Sequence, residues 1–463
     1  MSNFVHCHCH SDYSTYDGFQ TVPEMVGKAK ELGFEAIGLT DHGKVGGLLK
    51  LQKACQAAKE KDIIDKKTGK IDESKRHLLR EIKPILGIEA YVVDDLSNTK
   101  GTRYHQTIWA KNNKGIESLY KLASLSSEHT FRGFPRMDWE MLKNNSEGLM
   151  VASGCIIGKF ANLIVNENLD GAENLAKMYK EVWGDDFYIE IMWTGYDPQK
   201  LVIKHGVEIA KKLGIKIITS NDVHYSVKNK AESQRVKISI SRNGPLKNDE
   251  YRDSHMYLKT YEEMIQTLGE GRKEYLHNTM EICNKCDARI TLGQAKLPVF
   301  EIPKDNEEYN EFKKIWHPDT PEPEIYLYYL AEKGLKKRNL WDKPNYRERL
   351  YKELETIKFT GFETYFLILE DFLSFSRRNE IWRGPGRGSG VGSLVLYVLD
   401  ITGIDPIKYN LSMDRFLFSC ADYRARVSDF FDTVEIGLED DIRKIEFIKK
   451  DEITNLDFKE EKC

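Results

Sequence analysis

Through the first 224 residues, apolar and polar positions repeat one design: a short apolar run ends in a cluster of ionisable side chains. Phe34-Glu-Ala-Ile-Gly-Leu-Thr40 runs into Asp41-His42-Gly43, and Lys83-Pro-Ile-Leu-Gly-Ile88 into Glu89. Gly148-Leu-Met-Val-Ala-Ser-Gly154 runs into Cys155, and Ile215-Lys-Ile-Ile-Thr-Ser220 into Asn221-Asp222-Val-His224. Continuous apolar runs of this length predict buried parallel strands. Helical periodicity between them, over Thr21 to Leu32 and Leu175 to Trp183, predicts a β/α alternation. Polar residues at strand C-termini then fall where barrel folds build their sites. The chain opens differently. Phe4 to His10 alternates, which predicts a strand with His6, His8 and His10 on one face and Val5, Cys7 and Cys9 on the other.

Beyond Asp287 the pattern changes. Residues 296–327 hold eight acidic residues and five of the thirteen prolines, and read as a connecting segment. Helical patterns follow over Tyr326 to Arg338, Tyr346 to Thr360 and Tyr365 to Asn379. A Gly-rich stretch then runs from Trp382 through Arg383, Gly386, Arg387, Gly388 and Ser389 to Ser393, ahead of an apolar helix over Ser393 to Leu399. Gly-rich turns let backbone N–H groups crowd a phosphate, a helix N-terminus favours an anion, and Arg383 and Arg387 can pair with phosphate directly. On its own such a loop can equally be a tight connection between packed elements.

Composition narrows the class. The 463 residues are enough for two or three domains, and 40% hydrophobic with 31% charged residues is ordinary for a soluble chain. No run reaches the ~18 apolar residues of a membrane span. The start, MSNFVHCHCH, lacks the basic and apolar regions of a signal peptide. Eight cysteines without a framework spacing point to free thiols in a reducing cytoplasm. Net charge is -4, so any nucleic-acid surface must be local. Lys333 to Lys352 offers one, with eight basic and two acidic residues, although a solvated helix face explains it as well. Cys283-x-x-Cys286 is a single pair inside a predicted helix, Tyr275 to Cys286, and reads as structural.

Nine side chains stand out as candidate metal ligands: His8, His10, Asp17, His42, Glu89, His105, Cys155, Asp222 and His224. Imidazoles, one thiolate and carboxylates suit Zn2+ or Mn2+ better than a Ca2+ or Mg2+ cage. Asp41 reads as a supporting residue behind its neighbour His42. Such metal clusters lower the pKa of bound water and steady charge on phosphate oxygens.

The segments HxHSDYSxxDG, LTDHG, GIEAY, YHQTIWAKNNKG, SGC and NDVHY resemble the polymerase-and-histidinol-phosphatase (PHP) domain, in the version that opens bacterial DNA polymerase III alpha subunits. GFETYFLILEDF and GPGRGSGVGSLVLYVLDITGIDPIKYNL resemble the start of the palm in the same family. The resemblance implies a distorted (β/α)7-type PHP barrel over 1–290, followed by the beginning of an α/β nucleotidyltransferase palm over 291–419. It implies that the nine residues bind up to three Zn2+ or Mn2+ ions for 3′→5′ exonuclease proofreading. It also implies that Arg383, Gly386, Arg387, Gly388, Ser389 and Ser393 meet the triphosphate of an incoming dNTP, with Mg2+ in the completed polymerase site. Partners implied are DNA primer-template and 3′ ends, dNTP, and a sliding clamp through parts beyond this chain.

The family continues with paired palm aspartates at i, i+2. Here the chain reads Ser419-Cys420-Ala-Asp422 and on to Asp429 and Asp432, spaced i, i+3, which a strand would place on opposite faces. Residues 420–463 are therefore a divergent tail, and the chain is expected to need a second polypeptide for polymerisation. Three accounts of the tail stay open: the end of a split gene, a split-intein N-fragment with Cys420 as splicing nucleophile, or a frameshift or truncation artefact without function. Thr433 to Leu438 and Ile442 to Ile448 predict a hairpin. Two alternatives to a polymerase fragment also stay open: a stand-alone PHP phosphoesterase and a non-catalytic assembly scaffold.

Overall fold

The computed structural model describes residues 3–65, 68, 70–245, 255–293, 298–386 and 388–417, with the backbone of two strands at 433–439 and 442–449. The chain divides into two compact units, Met1–Thr291 and Leu292–Cys463.

The first unit is built on a curled six-stranded sheet in chain order: β1 (Ala36–Leu39), β2 (Lys83–Val92), β3 (Tyr104–Ala110), β4 (Leu149–Ala152), β5 (Phe187–Ile191) and β6 (Lys216–Thr219). Pairs β1–β2, β4–β5 and β5–β6 are parallel, but β3 runs antiparallel to both β2 and β4. The expectation of a purely parallel sheet is corrected there. The reversal has a consequence for the site. It brings the N-terminal end of β3 to the same rim as the C-terminal ends of the others, with His105 opposite Tyr91 and Thr107 opposite Glu89.

The N-terminal segment supplies the seventh position. Gly38 N and Thr40 N donate to the carbonyls of His6 and Cys9, and on the other side His10 N donates to Val223 O while Val223 N donates to His8 O. The segment thus lies between β1 and the stretch after β6. Gly38 is required by this closure: a Cβ there would lie 2.2 Å from the Cys7 carbonyl oxygen.

Side-chain alternation along this segment slips by one at a bend at His8. Before it, Val5 and Cys7 face the barrel interior with Ile85, Trp109, Tyr188 and Ile218. After it, Cys9 joins the outer core with Phe4, while His8 and His10 turn inward. The predicted single row of three histidines is corrected: His6 packs edge-on against Phe4 and Phe34, and its Nε2 lies 2.9 Å from Lys259 O.

The expected helix Tyr275 to Cys286 is two, Lys273–His277 and Thr279–Lys285. The second packs Ile282 and Cys283 into the interior cluster, so Cys283 and Cys286 are buried core thiols. Helix Val22–Glu31 begins where the sequence places it, with Thr21 capping Glu24 N and a proline in the first turn.

The second unit has its own core, in which Tyr326, Leu327 and Leu335 meet Leu350, Leu354, Phe366 and Leu394. Its main helices are Glu322–Lys337, Pro344–Thr360 and Glu363–Arg378. The segment expected to be a mere connection contains helix Glu307–Lys313, whose Tyr309 is buried in this core. Among the described residues of 292–417 there is no strand. The tail forms the expected hairpin, β7 (Thr433–Glu439) and β8 (Ile442–Lys449), antiparallel with Ile436 opposite Ile445.

Candidate metal centre

The rim at the C-terminal ends of the parallel strands gathers all nine candidate ligands. Glu89 is central and fully buried. Its Oε1 lies 3.3 Å from His8 Nε2 and 3.1 Å from His105 Nδ1; its Oε2 lies 2.7 Å from His42 Nδ1 and 3.5 Å from His10 Nε2. Asp222 Oδ1 sits 3.3 Å from His8 Nε2 and 3.1 Å from His10 Nε2. Asp17 Oδ2 is 3.2 Å from His42 Nε2 and 3.7 Å from His224 Nε2. Cys155 Sγ closes the far side, 3.4 Å from His105 Nδ1. Three groups of three converge closely enough to share an ion: His10, His42 and His224; His8, His10 and Asp222; His42, Glu89 and His105. Glu89 falls inside β2, not at its end as expected, because the strand continues to Val92.

The backbone is strained where it serves this cluster. Asp222 has φ of 46°, in the left-handed region that costs a non-glycine residue about 1 kcal/mol or more. That turn aims its carboxylate between His8 and His10 while Val223 pairs with the N-terminal segment.

The donor set fits a cation better than it fits itself. Both Glu89 oxygens, Asp222 Oδ1, Asp17 Oδ1 and His42 Nδ1 are buried without a hydrogen bond, although several lie within 3.5 Å of a polar atom. Those approaches are close but not aligned as hydrogen bonds. A buried carboxylate left so costs several kcal/mol unless an ion completes it.

The histidines carry the same message. His8 Nδ1 is 2.7 Å from Glu190 Oε1, His10 Nδ1 is 3.0 Å from Ser14 Oγ, and His224 Nδ1 is 2.7 Å from the Asp222 carbonyl. Ser14 donates its own hydroxyl to Asp41 Oδ1, so His10 is the donor to Ser14. Each ring therefore holds its proton on Nδ1, assigned from these partners, and turns the Nε2 lone pair inward. His8 Nε2 and His10 Nε2 face each other at 3.1 Å, an approach of two lone pairs that only a proton or a shared cation between them makes favourable.

Without an ion, protons take up the charge. Burial opposes the charged imidazole at His8, His42 and His224. It is outweighed by Glu190 and Glu89 at His8, by Asp17 and Glu89 at His42, and by Asp222 and Asp17 at His224, so all three bases are raised. His10 goes the other way, to about 3, pressed down by burial and by His42 and His224. Asp17, Glu89 and Asp222 are held below the usual carboxylate range, burial being overcome chiefly by His42, His105 and His224 respectively. Burial, with Glu89 and Asp222, pushes the Cys155 thiol well up, so it becomes a thiolate only beside a cation.

Two supporting carboxylates differ in how visible they are in sequence. Asp41, the expected supporting residue, accepts from Ser11 N, Ser11 Oγ and Ser14 Oγ at 2.7, 2.8 and 2.7 Å. Glu190 was not singled out. It accepts from His8, from Thr107 Oγ1 at 2.8 Å, and from Ser220 Oγ. Its signal is a lone acid in the apolar run Phe187-Tyr-Ile-Glu190-Ile191, a residue type seldom buried without a partner.

In the second unit, Arg383, Gly386, Gly388 and Ser389 are exposed on the Gly-rich loop, and Arg387 and Cys420 lie outside the described residues. Arg383 Nη1 donates to Asp400 O. Ser393 corrects an expectation. It is fully buried, and its hydroxyl donates to Glu353 Oε2 at 2.8 Å. Glu353 also accepts from Leu394 N and Val395 N, both at 3.0 Å, so the helix Leu394–Val398 already has its anion. The loop's phosphate-binding capacity then rests on its exposed residues.

Sheet and rim, with the candidate ligands converging on it, define a PHP-type domain, and the PHP domain family model matches residues 6–194. A second model, bacterial DNA polymerase III alpha NTPase domain, matches residues 325–430. The chain belongs with the DNA polymerase III alpha subunits. It is 37% identical to DNA polymerase III subunit alpha of Borreliella burgdorferi over 432 residues, which cover 90% of this chain and 34% of that one. The Helicobacter pylori (strain 26695) and Treponema pallidum subunits are each 34% identical, over 89% and 90% of this chain. The chain spans about a third of the length of these relatives, 34% for the first. Among the described residues no helix is long and apolar enough to cross a membrane.

Proposed function

We propose that this chain carries a metal-dependent 3′→5′ exonuclease site within a DNA polymerase III alpha-type polypeptide. The observation that carries the reading is the inward convergence of the nine ligand groups, three of which, His8, His10 and His224, have their Nδ1 already spent on Glu190, Ser14 and the Asp222 carbonyl. His8, His10, Asp17, His42, Glu89, His105, Cys155, Asp222 and His224 would hold up to three Zn2+ or Mn2+ ions. The chemistry supplied on loading is Lewis-acid polarisation of a phosphoryl oxygen and a water pKa near neutrality. The chain's own part is to fix the ligands in one tautomer and to keep the cluster out of bulk water.

The exposed loop residues Arg383, Gly386, Gly388 and Ser389, with Arg387, supply the triphosphate contact in this reading, and Mg2+ serves the completed polymerase site. The aspartates of residues 420–432 are not spaced to hold that Mg2+, so in this reading its carboxylates come from outside these 463 residues. DNA and dNTP are the proposed substrates.

The test is release of 3′ nucleotides from 5′-labelled single-stranded DNA after loading with Mn2+ or Zn2+. Asp222→Ala and His10→Ala are expected to abolish it, with metal content falling in parallel. Unchanged release by both variants, or less than one ion per chain in the wild type, would sink the assignment.

A further inference from the structure

A set of aromatic rings runs outward from the candidate ligand His42, through buried Tyr91, to the surface. His42 stacks on Tyr91 at 5.9 Å, Tyr91 meets Phe134 edge-on at 5.2 Å, and Phe134 stacks on Tyr16 at 5.1 Å with 23° between the planes. Tyr16 is 40% exposed, and it immediately precedes the candidate ligand Asp17. Neither Tyr16 nor Phe134 packs against the core clusters. A half-exposed tyrosine stacked on a half-buried phenylalanine, outside any core, is not accounted for by folding.

The backbone beneath these rings is pre-organised. Phe131 and Phe134 exchange both backbone hydrogen bonds, N to O at 3.0 and 3.1 Å, around Arg132 and Gly133 with φ of 52° and 83°. Two left-handed residues inside this bridged pair form a tight two-residue turn of the kind that closes hairpins. Buried Arg136 anchors it by donating to the carbonyls of His129, Asn98 and Leu96 at 3.0, 3.1 and 3.0 Å. Met137 N donates to Tyr91 O at 3.0 Å, tying the turn to the strand that carries Glu89.

Positive charge is interleaved with the rings. Arg103, two residues before His105, lies over Phe134 at 4.1 Å, and exposed Arg132 lies over Phe131 at 5.3 Å. Among the described residues neither guanidinium has a carboxylate partner. A stacked aromatic surface flanked by unpaired arginines, beside a phosphodiester-cleaving cluster, matches one ligand chemistry. Bases stack on the rings without regard to sequence, and phosphates meet the guanidinium groups.

We propose that Tyr16, backed by Phe134, is the stacking platform for bases at the 3′ end of single-stranded nucleic acid, with Arg132 and Arg103 holding the adjoining phosphates. This rests on the exonuclease reading of the metal centre and adds to it the residues that grip the strand beside the site. The platform acts by positioning the strand, not by bond breaking.

The test is binding of a 5′-labelled oligothymidylate to metal-free protein in chelator, read by fluorescence anisotropy, so that no cleavage intervenes. Tyr16→Ala is expected to weaken binding about tenfold, the scale of one base–aromatic stack. Arg132→Ala is expected to weaken binding and to reduce the slope of log affinity against log salt by about 0.7, the value for one phosphate contact on a single strand. An oligonucleotide whose last two positions are abasic should bind the wild type as weakly as the intact strand binds Tyr16→Ala, and should be indifferent to that substitution. Reloaded variants should carry wild-type amounts of metal, which shows that the fold is kept. Wild-type affinity in both variants would overturn the proposal, as would equal loss for intact and abasic strands with Tyr16→Ala. Wild-type protein that binds in the expected pattern but releases no nucleotide in Mn2+ would count against the nuclease and not against the platform.

Discussion

His8 shows how much a single side chain depends on what stands behind it. Its Nδ1 meets Glu190, which is also held by Thr107 and Ser220, and only this arrangement turns Nε2 toward Asp222 and Glu89. Glu190→Gln keeps the shape but replaces an acceptor-only group by one that can also donate, so the tautomer of His8 is no longer fixed. Metal affinity, measured by chelator competition, is expected to fall about 10–100-fold. An unchanged affinity would mean that Glu190 is only a structural acid. Protons compete for the same lone pairs. His8, His42 and His224 titrate above the ordinary imidazole value of about 6.5 in ion-free protein, because carboxylates outweigh burial there. Loading must displace those protons, so metal affinity is expected to rise as pH rises from about 6 to 8. The sign for stability is opposite in chelator-treated protein. Folded bases raised above the unfolded value stabilise fully below about 6.5, and that contribution is lost as pH rises through the folded values. Thermal melts in chelator should therefore decline, and melts in excess metal should not, as pH passes from 6.5 upward. The ligands themselves were legible because metal chemistry restricts residue type, whereas Glu190 was not, since one acid in an apolar strand advertises burial but not its partner.

At the level of elements, the alternation rule worked on both sides of His8 and failed across it. Periodicity is a property of regular backbone, and one bend shifts every later side chain to the other face. That slip lets Cys7 fill the interior and still delivers His8 and His10 to the rim. The reversed strand β3 was equally hidden, because strand direction leaves no mark on an apolar run. Gly38 is where the slip and the sheet meet. Its missing side chain admits the Cys7 backbone, and the nearest obstacle to a Cβ is main chain at 2.2 Å, which cannot rotate away. Gly38→Ala is expected to push the N-terminal segment off β1, costing about 2–4 kcal/mol in denaturant unfolding and lowering metal content, since the displaced segment carries two ligands. A variant of wild-type stability would show that the N-terminal segment does not close the barrel. In the second unit the Gly-rich loop was recognised, but the occupant of the helix behind it was not. Glu353 lies 40 residues before Ser393, and no local pattern announces a carboxylate that caps a distant helix.

For the whole molecule, the division into 1–291 and 292–463 gives metal removal a spatial outcome. Each unit has a core of its own, built from the barrel residues in the first and from Tyr326, Leu335, Leu350 and Leu394 in the second. The candidate ligands all fall in the first. Ligand binding to the folded state stabilises it by about 2.7 kcal/mol at a hundredfold excess over Kd, and about 4.1 kcal/mol at a thousandfold. On a domain of this size that corresponds to several degrees in melting temperature. The stabilisation also has to appear where the ligands tie distant segments together, since residues 8–17, 42, 89, 105, 155 and 222–224 converge at the cluster. Hydrogen exchange by mass spectrometry should therefore show faster exchange after chelation in peptides that contain His8 to Asp17, His105 and Asp222 to His224. Peptides from 322–378 in the second unit should exchange at unchanged rates. Uniform acceleration across both units would show that the metal centre stabilises the chain globally, and no change anywhere would show that the nine residues hold no ion that matters to the fold.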